Sequence, residues 1–150
     1  MNTHAGAILA ALLATGAVAG CGSGGDKPLS KTEYIKQGDA ICKKFGDKLD
    51  KAAQKQFADL GPNEAPSEKQ LTPFVEDAVK PNIESQISGL RDLEPPKADK
   101  DKLNAIYDQV ETALAKVEDD PESLLEQGAD PFEKANAAAQ EYGFKECGES

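Results

Sequence analysis

Residues 1–20, MNTHAGAILAALLATGAVAG, hold no Asp, Glu, Lys or Arg, and this asymmetry divides the chain before any fold can be considered. All 17 basic and 27 acidic side chains follow it. The apolar run from Ala5 to Gly20 would cover about 24 Å as a helix, short of the roughly 30 Å hydrocarbon core of a bilayer. It also lacks the polar face with which a core helix meets water. The stretch reads as a secretion signal, although His4 and the α-amino group of Met1 stand where such signals open with Lys or Arg. Whatever folds must be built from the remainder.

The run ends in Val18-Ala19-Gly20-Cys21. These four residues resemble the lipobox of bacterial lipoproteins, in which a branched residue and two small ones precede an obligatory cysteine. The resemblance implies cleavage before Cys21, thioether diacylation of its sulfur and acylation of the new amino group. The expected site is therefore a lipidation site at Cys21, the expected partner a membrane reached through that anchor, and the expected location the extracytoplasmic face of the cell membrane. Two acyl chains suffice for stable anchoring, because each buried CH2 contributes about 0.8 kcal/mol and a single chain is marginal. Residues 21–29, rich in Gly and Ser, read as a flexible tether with a mean reach of roughly 15–18 Å. Residues 30–150 are left to form the domain.

That domain is poor in Val and Ile and rich in Ala, Glu, Lys, Leu and Gln, so propensity favours helix over sheet. Aromatics make up only 5% of the chain, so the core is lean. Apolar residues recur at helical intervals from Ser30 to Leu60, from Ser67 to Leu93, from Asp99 to Val117 and from Pro131 to Tyr142. Ser30 and Glu33 have capping-box spacing, and Gly61-Pro62 stops the first segment. In the second, Thr72-Pro73 reads as an N-cap with a first-turn proline, and Pro81 as a kink. Asp120-Pro121 and Asp130-Pro131 read as two further helix starts, the first of them short. Gly143 suits the left-handed position after the last helix, with Phe144 folding back on it. Short Pro- and Gly-marked joints predict an all-α fold, an antiparallel bundle of about four helices.

With Cys21 assigned to lipid, two thiols remain in an exported protein, where disulfides persist. Cys42 and Cys147 are expected to pair, tying the first helix to the C-terminal tail. A redox or thiolate metal site is disfavoured by the absence of Cys-x-x-Cys spacing and of any histidine after His4. No metal and no cofactor is expected, and Asn104 stands where a calcium loop beginning at Asp99 would need glycine.

Two stretches carry a wider resemblance: Tyr34-Ile35-Lys36-Gln37-Gly38-Asp39-Ala40-Ile41-Cys42, and Asp130-Pro131-Phe132 with Tyr142-Gly143-Phe144-Lys145-Glu146-Cys147-Gly148. Together they resemble the uncharacterised small secreted lipoproteins of high-GC Gram-positive bacteria. The resemblance implies a helical exported domain with a disulfide linking its ends, and carries no activity with it.

A formal charge of −10 with dispersed basic residues argues against nucleic-acid binding. No catalytic residue is assigned: no Gly-x-Ser-x-Gly or His-Glu-x-x-His occurs, and the many carboxylates read as solvated helix faces. Tyr34, Tyr107 and Tyr142 are expected to pack with their hydroxyls at the surface, and Arg91 to cap the negative end of its helix. The favoured function is a non-catalytic binding or interaction module, engaging an envelope component or exported protein through its surface or a cleft beside Pro81. The alternative is a carboxylate-dependent hydrolase acting on cell-envelope polymers.

Overall fold

The computed structural model describes residues 27–126 and 130–148. Cys21 and most of the tether region therefore lie outside the described residues. The rest is an all-α antiparallel bundle of four rods, with no strand among the described residues. The first rod is α1 (Lys31–Gln56); the second is α2 (Glu68–Phe74) continued through a π turn (Val75–Val79) into α3 (Lys80–Arg91); the third is α4 (Lys100–Asp119); the fourth is α5 (Glu133–Tyr142). Short 3-10 turns occupy Lys97–Asp99, Pro121–Leu125 and Glu146–Gly148.

Helix α1 begins as its sequence dictates. The Ser30 hydroxyl accepts from the Glu33 N–H, and the Glu33 carboxylate accepts from the Ser30 N–H at 3.1 Å. Just ahead of this cap, the Leu29 N–H donates to the Glu94 carbonyl at 2.8 Å and its side chain packs on the core, so the folded body takes in Leu29. At the other end of the chain Gly143 adopts φ 121°. The Gly143 N–H bonds the Gln140 carbonyl and the Phe144 N–H bonds the Ala139 carbonyl, the paired closure of a Schellman motif.

The second rod departs from expectation. Thr72 is not an N-cap: the helix starts at Ser67, whose capping box with Gln70 satisfies the first turn, and the Thr72 hydroxyl donates to the Glu68 carbonyl at 3.1 Å. Pro73 is therefore inside the helix, whereas at Pro81 the helix continues, as expected. The irregularity falls earlier, at Val75–Val79, where the Lys80 N–H bonds the Val75 carbonyl five residues back. Leu71, Val75, Val79, Ile83 and Ile87 recur every fourth residue, and on an α-helix each such step drifts about 40°. A π turn takes up that drift and keeps the row facing the core. Asp120-Pro121 likewise starts only a 3-10 turn, not an α-helix.

Two apolar clusters fill the bundle. One gathers Tyr34, Cys42, Leu90, Tyr107, Tyr142 and Phe144 around the ends of α1, α3, α4 and α5; the other joins Phe74, Val75, Val79, Leu114 and Val117. Cys42 and Cys147 are bonded, closing the first cluster from the tail side. Rod α3 meets α1 along Asn82, whose side-chain amide donates to the Phe45 carbonyl at 2.9 Å, and along Gly89, beside Ile41.

Candidate functional site

On the side of α3 away from α1, Glu84, Ile87, Ser88 and Arg91 recur at three- and four-residue steps and so share a face. Across from them α4 presents Glu111, Leu114 and Glu118 at the same kind of spacing. Together with Asp92 these residues line a groove of about 480 Å3, which Pro81 does not line. Ile87 and Leu114, each 4% exposed, form its apolar floor.

The walls are charged. At one end Lys80 pairs with Glu118; at the other the Arg91 guanidinium donates to Glu111 at 2.8 Å and lies 3.8 Å from Asp108. Arg91 thus bridges to α4 and does not serve as the simple helix-end cap expected of it; it also sits 5.6 Å from the Tyr107 ring. These pairs are exposed enough to contribute little to stability, typically under about 1 kcal/mol each. Glu84 and Asp92 have no cation within ion-pairing distance among the described residues. The groove thus offers an apolar floor next to two carboxylates without a direct ion pair, Lys80 acting on Glu84 only from beyond contact distance.

The tyrosines are placed otherwise than expected. Tyr34, Tyr107 and Tyr142 are all buried, and their hydroxyls face partners inside the bundle. The Tyr34 and Tyr107 hydroxyls bond each other, and Tyr34 donates to the Leu90 carbonyl at 3.1 Å. Tyr142 donates to Asp99 at 2.9 Å. Burial holds the Tyr107 phenol far above its ordinary range, with the Tyr34 hydroxyl adding to the shift. Burial also raises Tyr142, reinforced by its bond to Asp99, and raises Tyr34, where the Tyr107 hydroxyl opposes it. Each raised phenol binds its proton more tightly folded than unfolded, so its stabilising contribution is complete below the unfolded value near 10 and is lost above it. Urea titrations are therefore expected to show stability falling steadily as pH rises above about 10, with a shallower fall in Tyr107→Phe. Equal slopes for the two proteins would show that Tyr107 does not carry the effect.

The sequence-level sites are thus distributed unevenly. Cys42 and Cys147 come together as a disulfide. Cys21 lies outside the described residues. Glu111 and Glu118 were not singled out from sequence, and Leu114 was read only as part of the apolar stripe of its helix, because sequence does not tell which face of α4 will lie opposite α3. Among the described residues no helix is long and apolar enough to cross a membrane. No protein-family model matches the chain, and comparison with curated proteins and with solved structures gives no significant match.

Proposed function

We propose that this chain is a membrane-tethered, extracytoplasmic binding module, not an enzyme, that holds an envelope or exported partner in the groove between α3 and α4. The observation that carries the reading is the pairing of an apolar floor, Ile87 and Leu114, with the unpaired carboxylates Glu84 and Asp92 on one wall. That combination fits a segment presenting a basic side chain next to an aliphatic one. The groove's remaining acids, Glu111 and Glu118, are engaged by Arg91 and Lys80. A ligand cation would meet Glu84 and Asp92 first, without breaking an existing pair.

The test is an NMR titration with a short peptide of alternating Lys and Leu. Amide shifts are expected to cluster between Glu84 and Asp92 and between Glu111 and Glu118, with affinity falling by about tenfold or more in Glu84→Gln/Asp92→Asn, as expected from losing a charge-assisted contact of roughly 1.5–3 kcal/mol. Shifts scattered over the surface, or an affinity unmoved by the substitutions, would remove the groove from the account.

The anchor half of the reading rests on the lipobox resemblance at Val18-Ala19-Gly20-Cys21. Cys21→Ala is expected to shift the protein from the membrane to the soluble fraction of its host with its helical circular-dichroism signal unchanged. Continued sedimentation of that variant with membranes would overturn the anchor.

A further inference from the structure

Rod α1 differs electrostatically from the other three. It holds seven lysines against four acids, whereas the α2–α3 rod has three cations against four acids, α4 three against five and α5 one against two. Alone among the rods, α1 has a net positive charge. Its positive side chains are also aligned: Lys44, Lys48, Lys51 and Lys55 follow steps of four, three and four, which places them within about 60° of one another on the helix wheel. All four are exposed, none has an ion-pair partner among the described residues, and no acid between Lys44 and Lys55 in sequence falls inside that arc, Asp47 standing about 40° outside it. Like charges at this spacing weaken a helix. An anionic surface facing the row would reverse that cost.

We infer that the outer face of α1 docks on an anionic lipid surface, so that the domain lies on this rod with the α3–α4 groove directed outward. The inference rests on the tether reading and deepens it: nine residues separate Cys21 from Lys31, where α1 begins. A mean reach of roughly 15–18 Å keeps the body within about two Debye lengths of the headgroups. At that distance a body of net charge −10 is repelled by an anionic leaflet in most orientations. With the lysine row toward the leaflet, the nearest charges are attractive instead. The groove lies across α3 from α1, since Asn82 and Gly89 meet α1 while Glu84, Ser88 and Arg91 are turned about half a revolution from them. Resting on α1 therefore leaves the groove open to a partner approaching from outside.

The experiment uses the full chain carrying Cys21→Ala, so that its outcome does not depend on acylation. Co-sedimentation is measured with vesicles of phosphatidylcholine alone and with vesicles containing about one-third phosphatidylglycerol. Partitioning is expected to be at least tenfold stronger on the anionic vesicles at low salt, and to lose most of that preference near 0.5 M salt or in the variant K44Q/K48Q/K51Q/K55Q. A matched control, K69Q/K100Q/K116Q/K134Q, removes four exposed charges from the other rods and is expected to keep the preference. On the vesicles, amine acetylation of Lys44, Lys48, Lys51 and Lys55 is expected to slow severalfold while that of Lys69 and Lys116 does not. Equal partitioning on both vesicles, or equal losses in the two variants, would overturn the inference. So would tight, lysine-row-dependent binding to soluble polyphosphate without binding to the anionic vesicles, which would make the partner a polymer. Loss of the acyl anchor in the host, tested separately through Cys21, would leave these vesicle results standing.

Discussion

Cys42→Ser and Cys147→Ser are each expected to lower stability by up to about 4.7 kcal/mol, and the double variant by no more than either alone. The bond closes a loop with a sequence separation of 105, and the chain-entropy account gives about 4.7 kcal/mol for loops of this order. Domains of this size are usually stable by only about 5–15 kcal/mol in total, so the loss is a large fraction of the whole. A drop in Tm on the order of 15 °C or more follows. The fold itself is expected to survive at low temperature, because other contacts hold the tail. The Asp39 carboxylate accepts from the Lys145 and Glu146 N–H groups at 3.0 Å, and Phe144 is buried against the Tyr34 and Tyr142 rings. Urea unfolding of the three variants checks the claim. Additive losses would mean that the two serines disturb separate contacts instead of one shared bond.

This bond was legible because it follows from counting, whereas much of the rest depended on how regular the local signal is. Helix α4 follows one uninterrupted apolar stripe from Leu103 to Val117, and the structure reproduces it. The caps at Ser30 and Gly143 were readable because each is a short-range hydrogen-bond pattern with residue types of its own. In the second rod the bounds were readable from Ser67 onward, but Pro73 drew attention to Thr72 as an N-cap and Pro81 to a kink, whereas the cap is at Ser67 and the irregularity at Val75–Val79. Proline is tolerated inside this rod partly because the residues one turn earlier, Lys69 and Asp77, are exposed, leaving their carbonyls to water. The four-residue recurrence from Leu71 to Ile87 was the available sign of the π turn. The buried tyrosine pair and the groove were not legible at all. Tyr34 and Tyr107 meet across 73 positions, and Arg91 finds Glu111 on another helix, so both depend on which faces of different rods come together.

Gly38→Ala is expected to destabilise the native protein by about 1–3 kcal/mol, although the same change in an ordinary helix interior stabilises by up to about 1 kcal/mol. Gly38 lies in the middle of α1, where glycine is a poor helix former, so a specific contact has to explain it. A Cβ at that position would stand 2.5 Å from Phe144 Cε1 and 3.2 Å from Leu90 Cδ2. Phe144 is only 3% exposed and is wedged against Tyr34 and Tyr142, so the ring cannot move aside without disturbing both. Removing it in Phe144→Ala is expected to cost about 3–5 kcal/mol through the cavity left between α1 and the tail. The decisive comparison is Gly38→Ala within Phe144→Ala. With the ring gone, the closest remaining neighbour is Leu90 Cδ2 at 3.2 Å, the far end of a side chain that the new cavity lets move, so the helix-propensity gain of up to about 1 kcal/mol offsets most of the loss. The cost of the substitution therefore falls sharply between the two backgrounds. Measured by urea titration, an equal loss in both would show that the Phe144 ring is not what reserves this position for glycine.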